Sequence, residues 1–304
     1  MTDHLHTLDD VAARIRRGEG LLLAGDEALL RRLPRGNWIA GTIPYFVSAE
    51  GGHVDRVYAE LPPNGFGVMI APASSAVHLS FALNAPNYQG FATRPLVGWI
   101  SGVHLSELGK KAPLVFDGTT GEALDQQAVV MHVALPKGKA ADIQILNIFQ
   151  AGDGPAITFP SSGFAAREVE IDGVRRKLSE YVKETGLDTR LPLVADYCGT
   201  SINVSFQSVD HDQGVVNFYA PVFAGIRYHH ARAVADYVTE FSSRIPRDID
   251  EKVAFSCNCI LNYLHSGMEG RKVGGPQGPI TFGEIAYQLL NQTMAYVTID
   301  DAAG

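Results

Sequence analysis

Cysteine is scarce. Cys198, Cys257 and Cys259 are the three in 304 residues, an odd number too small for a disulfide framework, and they read as reduced thiols. Long apolar runs are missing too: no stretch approaches the ~20 residues that span a bilayer. Positive charge is nowhere concentrated. The 25 Lys and Arg lie scattered among 33 Asp and Glu, which offers no basic face to nucleic acid, and aromatics do not interleave with basic residues as single-strand binding requires. The start, Met1-Thr2-Asp3-His4, puts an acid where a signal peptide carries positive charge. The expectation is a cytoplasmic protein with neither a membrane nor a nucleic-acid partner. At 46% hydrophobic and 19% charged the composition is globular, and the net charge of -8 suits solubility.

Several reaction motifs are also missing. No Gly-Lys-Ser or Gly-Lys-Thr occurs, which excludes a P-loop, and neither Gly-x-Gly-x-x-Gly nor Gly-x-Ser-x-Gly is found. None of the ten histidines has metal-ligand spacing, and no metal site is expected. Vicinal His229-His230 point to opposite sides of a strand. A single histidine suffices to hold a haem iron, so haem stays open as a cofactor.

What is present is a mixed α/β pattern. Residues 7–17 read as an amphipathic helix capped by Thr7 or Asp9. Leu21–Ala24, a helix from Glu27 to Leu33 and Trp38–Gly41 form strand, helix, strand, with the dozen-residue connection of a parallel βαβ crossover. The loop from Gly41 through Thr42 to Tyr45 then leaves the carboxyl end of a strand, where open α/β sheets bind ligands. Phe66–Ala71, Leu96–Ser101 and 114–116 read as strands and Ser74–Leu83 as a helix. After the turn at 117–121 the alternating segment 129–135 predicts a strand buried on both faces, 174–184 and 232–244 predict helices, 201–209 a single strand, and 283–290 a helix or strand–helix junction. This places a loose boundary near residue 120, between a first half (1–120) that carries the βαβ unit and a second half (121–304), each a sheet flanked by helices. Gly274–Pro279 reads as a loop at a pocket rim.

Two constellations could carry chemistry. Cys257-Asn258-Cys259 follows a short apolar strand and precedes a helical segment, 260–265. A thiol at a helix N-terminus has its pKa lowered and can serve as a nucleophile. The plainer reading is two small buried hydrophobes. Thr281-Phe282-Gly283-Glu284 sets a glycine before a carboxylate at a helix start. Glu284 could bind an ammonium group or take a proton, or simply meet unpaired helix amides.

The segment 278–286, followed by Leu290-Asn291-Gln292-Thr293-Met294, resembles the closing motif of FIST-type sensory domains, in which Gly-Glu-Ile precedes Asn-x-Thr and a last apolar strand. Phe255-Ser256-Cys257 resembles that family's strand ending in cysteine, although the Gly-Arg that usually follows is replaced by Asn258-Cys259-Ile260. Ile39-Ala40-Gly41-Thr42-Ile43 looks like a worn version of its Ser-Thr-Ala-Gly-Glu-Ile loop, without the glutamate. The resemblance covers most of the chain loosely and residues 278–294 specifically. It implies a compact, divergent FIST-like sensor that binds a small molecule, such as an amino acid, and signals through a separate partner protein. Some members are proposed to bind haem. Its pocket would lie between the halves, near Thr42, Tyr45, Cys257, Asn258, Asn262, Gly283 and Glu284. The competing reading is an enzyme, a hydrolase or transferase of small amides, with Cys257 as nucleophile and Glu284 as its acid or base. Base rates allow a homodimer.

Overall fold

The computed structural model describes residues 5–43, 46–48, 51–53, 57–60, 65–88, 95–197, 200–245, 252–266 and 276–301. It is a mixed α/β fold of several sheets with flanking helices. Helix α1 (Leu8–Arg16) starts at Thr7, whose hydroxyl accepts the Asp10 N–H while the Asp10 carboxylate reaches back to Thr7 N–H, a reciprocal cap. Leu21–Gly25 and Trp38–Thr42 pair in parallel across helix α2 (Glu27–Leu30), so the expected βαβ unit is present. They sit in the middle of a six-stranded sheet. Leu21, Leu23, Trp38 and Ala40 pack under α1 and α2, while Leu22, Ala24 and Ile39 turn to the opposite face, as period-two alternation requires.

A five-stranded central sheet runs in the order Val129–Val133, Phe66–Pro72, Leu96–Ser101, Glu284–Ala286, Gln288–Leu290. Its parallel pair is joined through helix α3 (Ala76–Asn84), which covers one face together with Met69, Ile100 and Ile285. The strand at Val129–Val133 is this sheet's edge. Val130 is 46% exposed, so the strand is not buried on both faces as its apolar alternation suggested.

Residues between Ile157 and His230 form an antiparallel unit with its own core. A six-stranded sheet and a three-stranded sheet enclose Phe159, Val169, Val204 and Phe218, with helix α4 (Leu178–Thr185) alongside. Two expectations fail in this unit. Val174–Lys177 is a strand, not the first turn of a helix: Asp172 and Gly173 both take positive φ, 49° and 80°, and fold it back on Glu168–Ile171. The run 201–209 is not one strand either, because it breaks at Ser205 and its two pieces belong to different sheets.

The third large sheet contains Lys139–Leu146, Met294–Asp301, Val253–Cys259, Gly278–Thr281, Phe46–Ser48 and Gly51–His53. Helix α5 (Tyr237–Arg244) starts only at its cap Asp236, so the stretch from Arg232 is not helical. Helix α6 (Ile260–Ser266) follows Cys259 directly. Strands from both sides of residue 120 share the first, central and third sheets, which meet over one core where Trp99 stacks on Phe255 at 5.7 Å. No helix among the described residues is long and apolar enough to cross a membrane.

Candidate functional site

Glu284 lies on a strand. The segment 283–290 is a β-hairpin that turns at Tyr287 (φ 63°), not a helix start. The Glu284 side chain is fully buried between the central and third sheets. Thr281 Oγ1 donates to one carboxyl oxygen at 2.9 Å and Thr293 Oγ1 to the other at 2.8 Å. Burial pushes this carboxyl up to about 8, against the pull of those hydroxyls and of the Cys259 thiol, so the group is mostly protonated at neutral pH. Gly283, at φ 153°, packs so closely that a Cβ would stand 3.2 Å from Ile100 and 3.3 Å from Leu289.

The two cysteines are the last alternate residues of Val253–Cys259. Cys257 donates its S–H to the Gly98 carbonyl at 3.4 Å. Both thiols are buried, and burial pushes both pKa values well up, with the neighbouring Glu284 adding to the rise. The lowered pKa expected of a thiol beside a helix start is therefore reversed: neither thiol reaches water, and once Glu284 ionises it opposes a second negative charge. Asn262 Nδ2 donates to Asn258 Oδ1 at 2.8 Å and to the Thr293 carbonyl at 3.0 Å, and its Oδ1 accepts from Tyr237 OH. Asn258, Asn262, Cys257, Cys259, Gly283 and Glu284 thus come together in one region. The Thr42 side chain is engaged elsewhere, its Oγ1 exchanging hydrogen bonds with the Leu114 backbone at 3.0 and 3.2 Å. Tyr45 and Cys198 lie outside the described residues, as do Gly274 and Gly275. Gln277 is in a loop, and Gly278–Thr281 is a strand.

The loop Asn291-Gln292-Thr293 ties this region to the antiparallel unit. Asn291 Oδ1 accepts from Ser205 N–H at 3.2 Å and Ser205 Oγ at 2.8 Å. Asn203 Nδ2 reaches the Asn291 and Gln292 carbonyls at 3.3 and 3.2 Å and also pairs with Asn147. Gln292 Nε2 donates to the Arg190 carbonyl at 3.0 Å. One tripeptide therefore holds Glu284 on one side and a separate core on the other.

The open space lies elsewhere. A cleft of about 700 Å³ runs between the start of α3, the segment 108–113, and the antiparallel unit at Phe164, Gln207 and 217–219. None of Thr42, Cys257, Asn258, Asn262, Gly283 and Glu284 lines it, though Phe282, beside Gly283, does. Two of its walls do touch their surroundings: Phe282 and Tyr219 line the cleft and also pack on the cluster that holds Cys259. His78, 7% exposed, is another wall residue. Its Nδ1 accepts from Ser74 N–H at 3.2 Å, its ring meets Phe164 edge-to-face at 5.3 Å, and its Nε2 has no hydrogen-bond partner among the described residues. Burial pulls it down to about 4, so at pH 7 it is a neutral imidazole with its proton on Nε2. The sequence signal was faint: a histidine three residues after the capping Ser75 reads as part of an ordinary helix. Among the described residues, no group of three or more His, Cys, Asp or Glu side chains is placed to hold a metal ion.

Fold and cleft together define a mixed α/β protein with several sheets, an antiparallel unit of its own and a concave junction between them. The chain belongs to the family of unknown function DUF6976, whose model matches residues 6–58 and 52–300. No curated protein and no solved structure matches it.

Proposed function

We propose that this chain is a small-molecule-binding protein whose ligand occupies the cleft beside α3. The observation that carries the reading is the cleft itself. Its volume of about 700 Å³ falls within the roughly 300–1,000 Å³ of small-ligand sites, and it combines aromatic walls with a few polar groups. Phe164, Phe282 and Tyr219 supply apolar surface, while Gln126, Gln207 and Asn217 supply hydrogen bonds at its edge. The resemblance to FIST-type domains at residues 278–294 supports a sensory role in the cytoplasm, with output through a separate partner protein. The enzyme reading gains no support, since Cys257 is sealed in the core and its thiol is pushed away from the reactive thiolate.

The test is a thermal-shift screen against small carboxylic acids, amides, nucleotides and haemin; haemin is included because His78 stands in the cleft wall. A ligand at 100 times its Kd stabilises the fold by about 2.7 kcal/mol. Gln207 is exposed on the rim, and Gln207→Trp should fill the cleft and abolish the shift without lowering the unliganded midpoint. A screen with no hits, or a shift that survives Gln207→Trp, defeats the proposal.

A further inference from the structure

A second concavity, of about 590 Å³, opens on the antiparallel unit at the start of α4. The cap residue of this eight-residue helix is Lys177, and no side chain caps it. The Leu178 amide is taken by the Arg167 carbonyl at 2.9 Å, which leaves the amides of Ser179 and Glu180 with no side-chain acceptor. Ser179 lines the notch and is 2% exposed, and its hydroxyl makes no hydrogen bond among the described residues. The hydroxyl opens onto the notch, so its bonding partner comes from that side. Gly214 also lines the notch, and a Cβ there would meet Ser179 Oγ at 3.9 Å, an ordinary van der Waals contact.

The charges around the notch select among anions. Lys177 is held by Glu180 at 2.8 Å, and Glu168 is held by Arg175 at 2.9 Å. The Arg167 guanidinium donates to the Gln213 carbonyl and has no carboxylate partner among the described residues. His211 and Asp212 complete the rim. The lining holds two cations, Arg167 and Lys177, and three carboxylates, Glu168, Glu180 and Asp212. The Arg167 guanidinium and the positive end of a helix favour an oxyanion, while the net negative lining weighs against a doubly charged one.

We propose that this notch is a second ligand site, which takes the singly charged carboxylate of a small organic acid on the Ser179 hydroxyl, the first amides of α4 and the Arg167 fork. The guanidinium and carboxylate match as a two-bond pair. The site is distinct from the α3 cleft, and neither proposal depends on the other.

The test is a titration of the isotopically labelled full chain with sodium acetate, and separately with sodium phosphate, at fixed pH and ionic strength. Amide resonances of Ser179 and Glu180 are followed by NMR. Acetate should shift them along a saturable curve, tighter than phosphate. Ser179→Ala and Arg167→Gln should each weaken it at least about fivefold while the remaining spectrum stays folded. A drift that never saturates, saturation unchanged in both variants, or tighter binding of phosphate would overturn the proposal.

Discussion

Cys257 and Cys259 show how one residue type can suggest opposite chemistry by its address. Two thiols next to a helix start resemble a nucleophile site, but here the strand carries them into the core, where burial and Glu284 hold both protonated. Alkylation of either in the folded protein should run at least about a hundredfold slower than in denaturant, because it must wait for the core to open. Mass spectrometry of iodoacetamide-treated protein, digested and read at these two positions, checks this. Rapid labelling at neutral pH would return Cys257 to the list of nucleophiles. Glycine also acts at this scale. Gly102 lies so close to the Phe282 ring that a Cβ would fall 1.9 Å from it, which fixes the ring as both cleft wall and core residue.

At the scale of elements, polar junctions decide what moves together. Asn291→Ala removes the acceptor of the Ser205 amide, where the two strands of the antiparallel unit change sheets, while the Ser205 hydroxyl keeps Gln292 Oε1 at 2.5 Å. Leaving that buried amide unmatched should cost about 1–3 kcal/mol. Hydrogen exchange should quicken first across residues 200–210, ahead of Leu21–Gly25. Uniform acceleration over the whole chain would mean that the loop is not a local tie. The elements also show what a sequence discloses. Helix α1 and the βαβ unit were legible because cap, period and connection length all agree. The hairpin at Glu284 was not, because Thr281-x-x-Glu284 has the spacing of a helix cap, and the structure uses that same spacing to bond Thr281 to Glu284 across a bend between strands. The helix expected at Val174 fails for a similar reason: Asp172-Gly173 can turn a hairpin as well as open a helix. The polar cluster at Cys257, Asn258, Asn262 and Glu284 could be singled out because its residues sit in two short segments. The cleft could not, since its walls come from stretches far apart in the chain.

For the whole molecule, two buried groups set the pH dependence with opposite signs. Glu284 titrates at about 8 when folded and near 4.5 when unfolded, so the folded state holds the extra proton and stability falls as pH rises through that interval. His78 titrates at about 4 when folded and near 6.5 when unfolded, so the unfolded state holds the extra proton and stability rises with pH between those values. The two contributions offset between about pH 4.5 and 6.5, and from 6.5 to 8 Glu284 acts alone, at up to about 1.4 kcal/mol per pH unit. Urea unfolding at pH 6.5 and 8 should show that loss in the wild type, and Glu284→Gln should flatten it. A wild-type curve already flat over this range would mean that Glu284 is ionised in the folded state.

Met294–Asp301 pairs with Lys139–Leu146 on one side and with Val253–Cys259 on the other. It is an interior strand of its sheet, yet it is translated more than 140 residues after the Lys139–Leu146 strand it joins. A nascent chain halted before residue 294 lacks the plank between those two strands, and each would be left with an open edge. The protein thus resists piecemeal assembly on the ribosome: its third sheet closes only after residue 301 has emerged, and until then the burden of keeping those edges from foreign strands falls on whatever shields the growing chain.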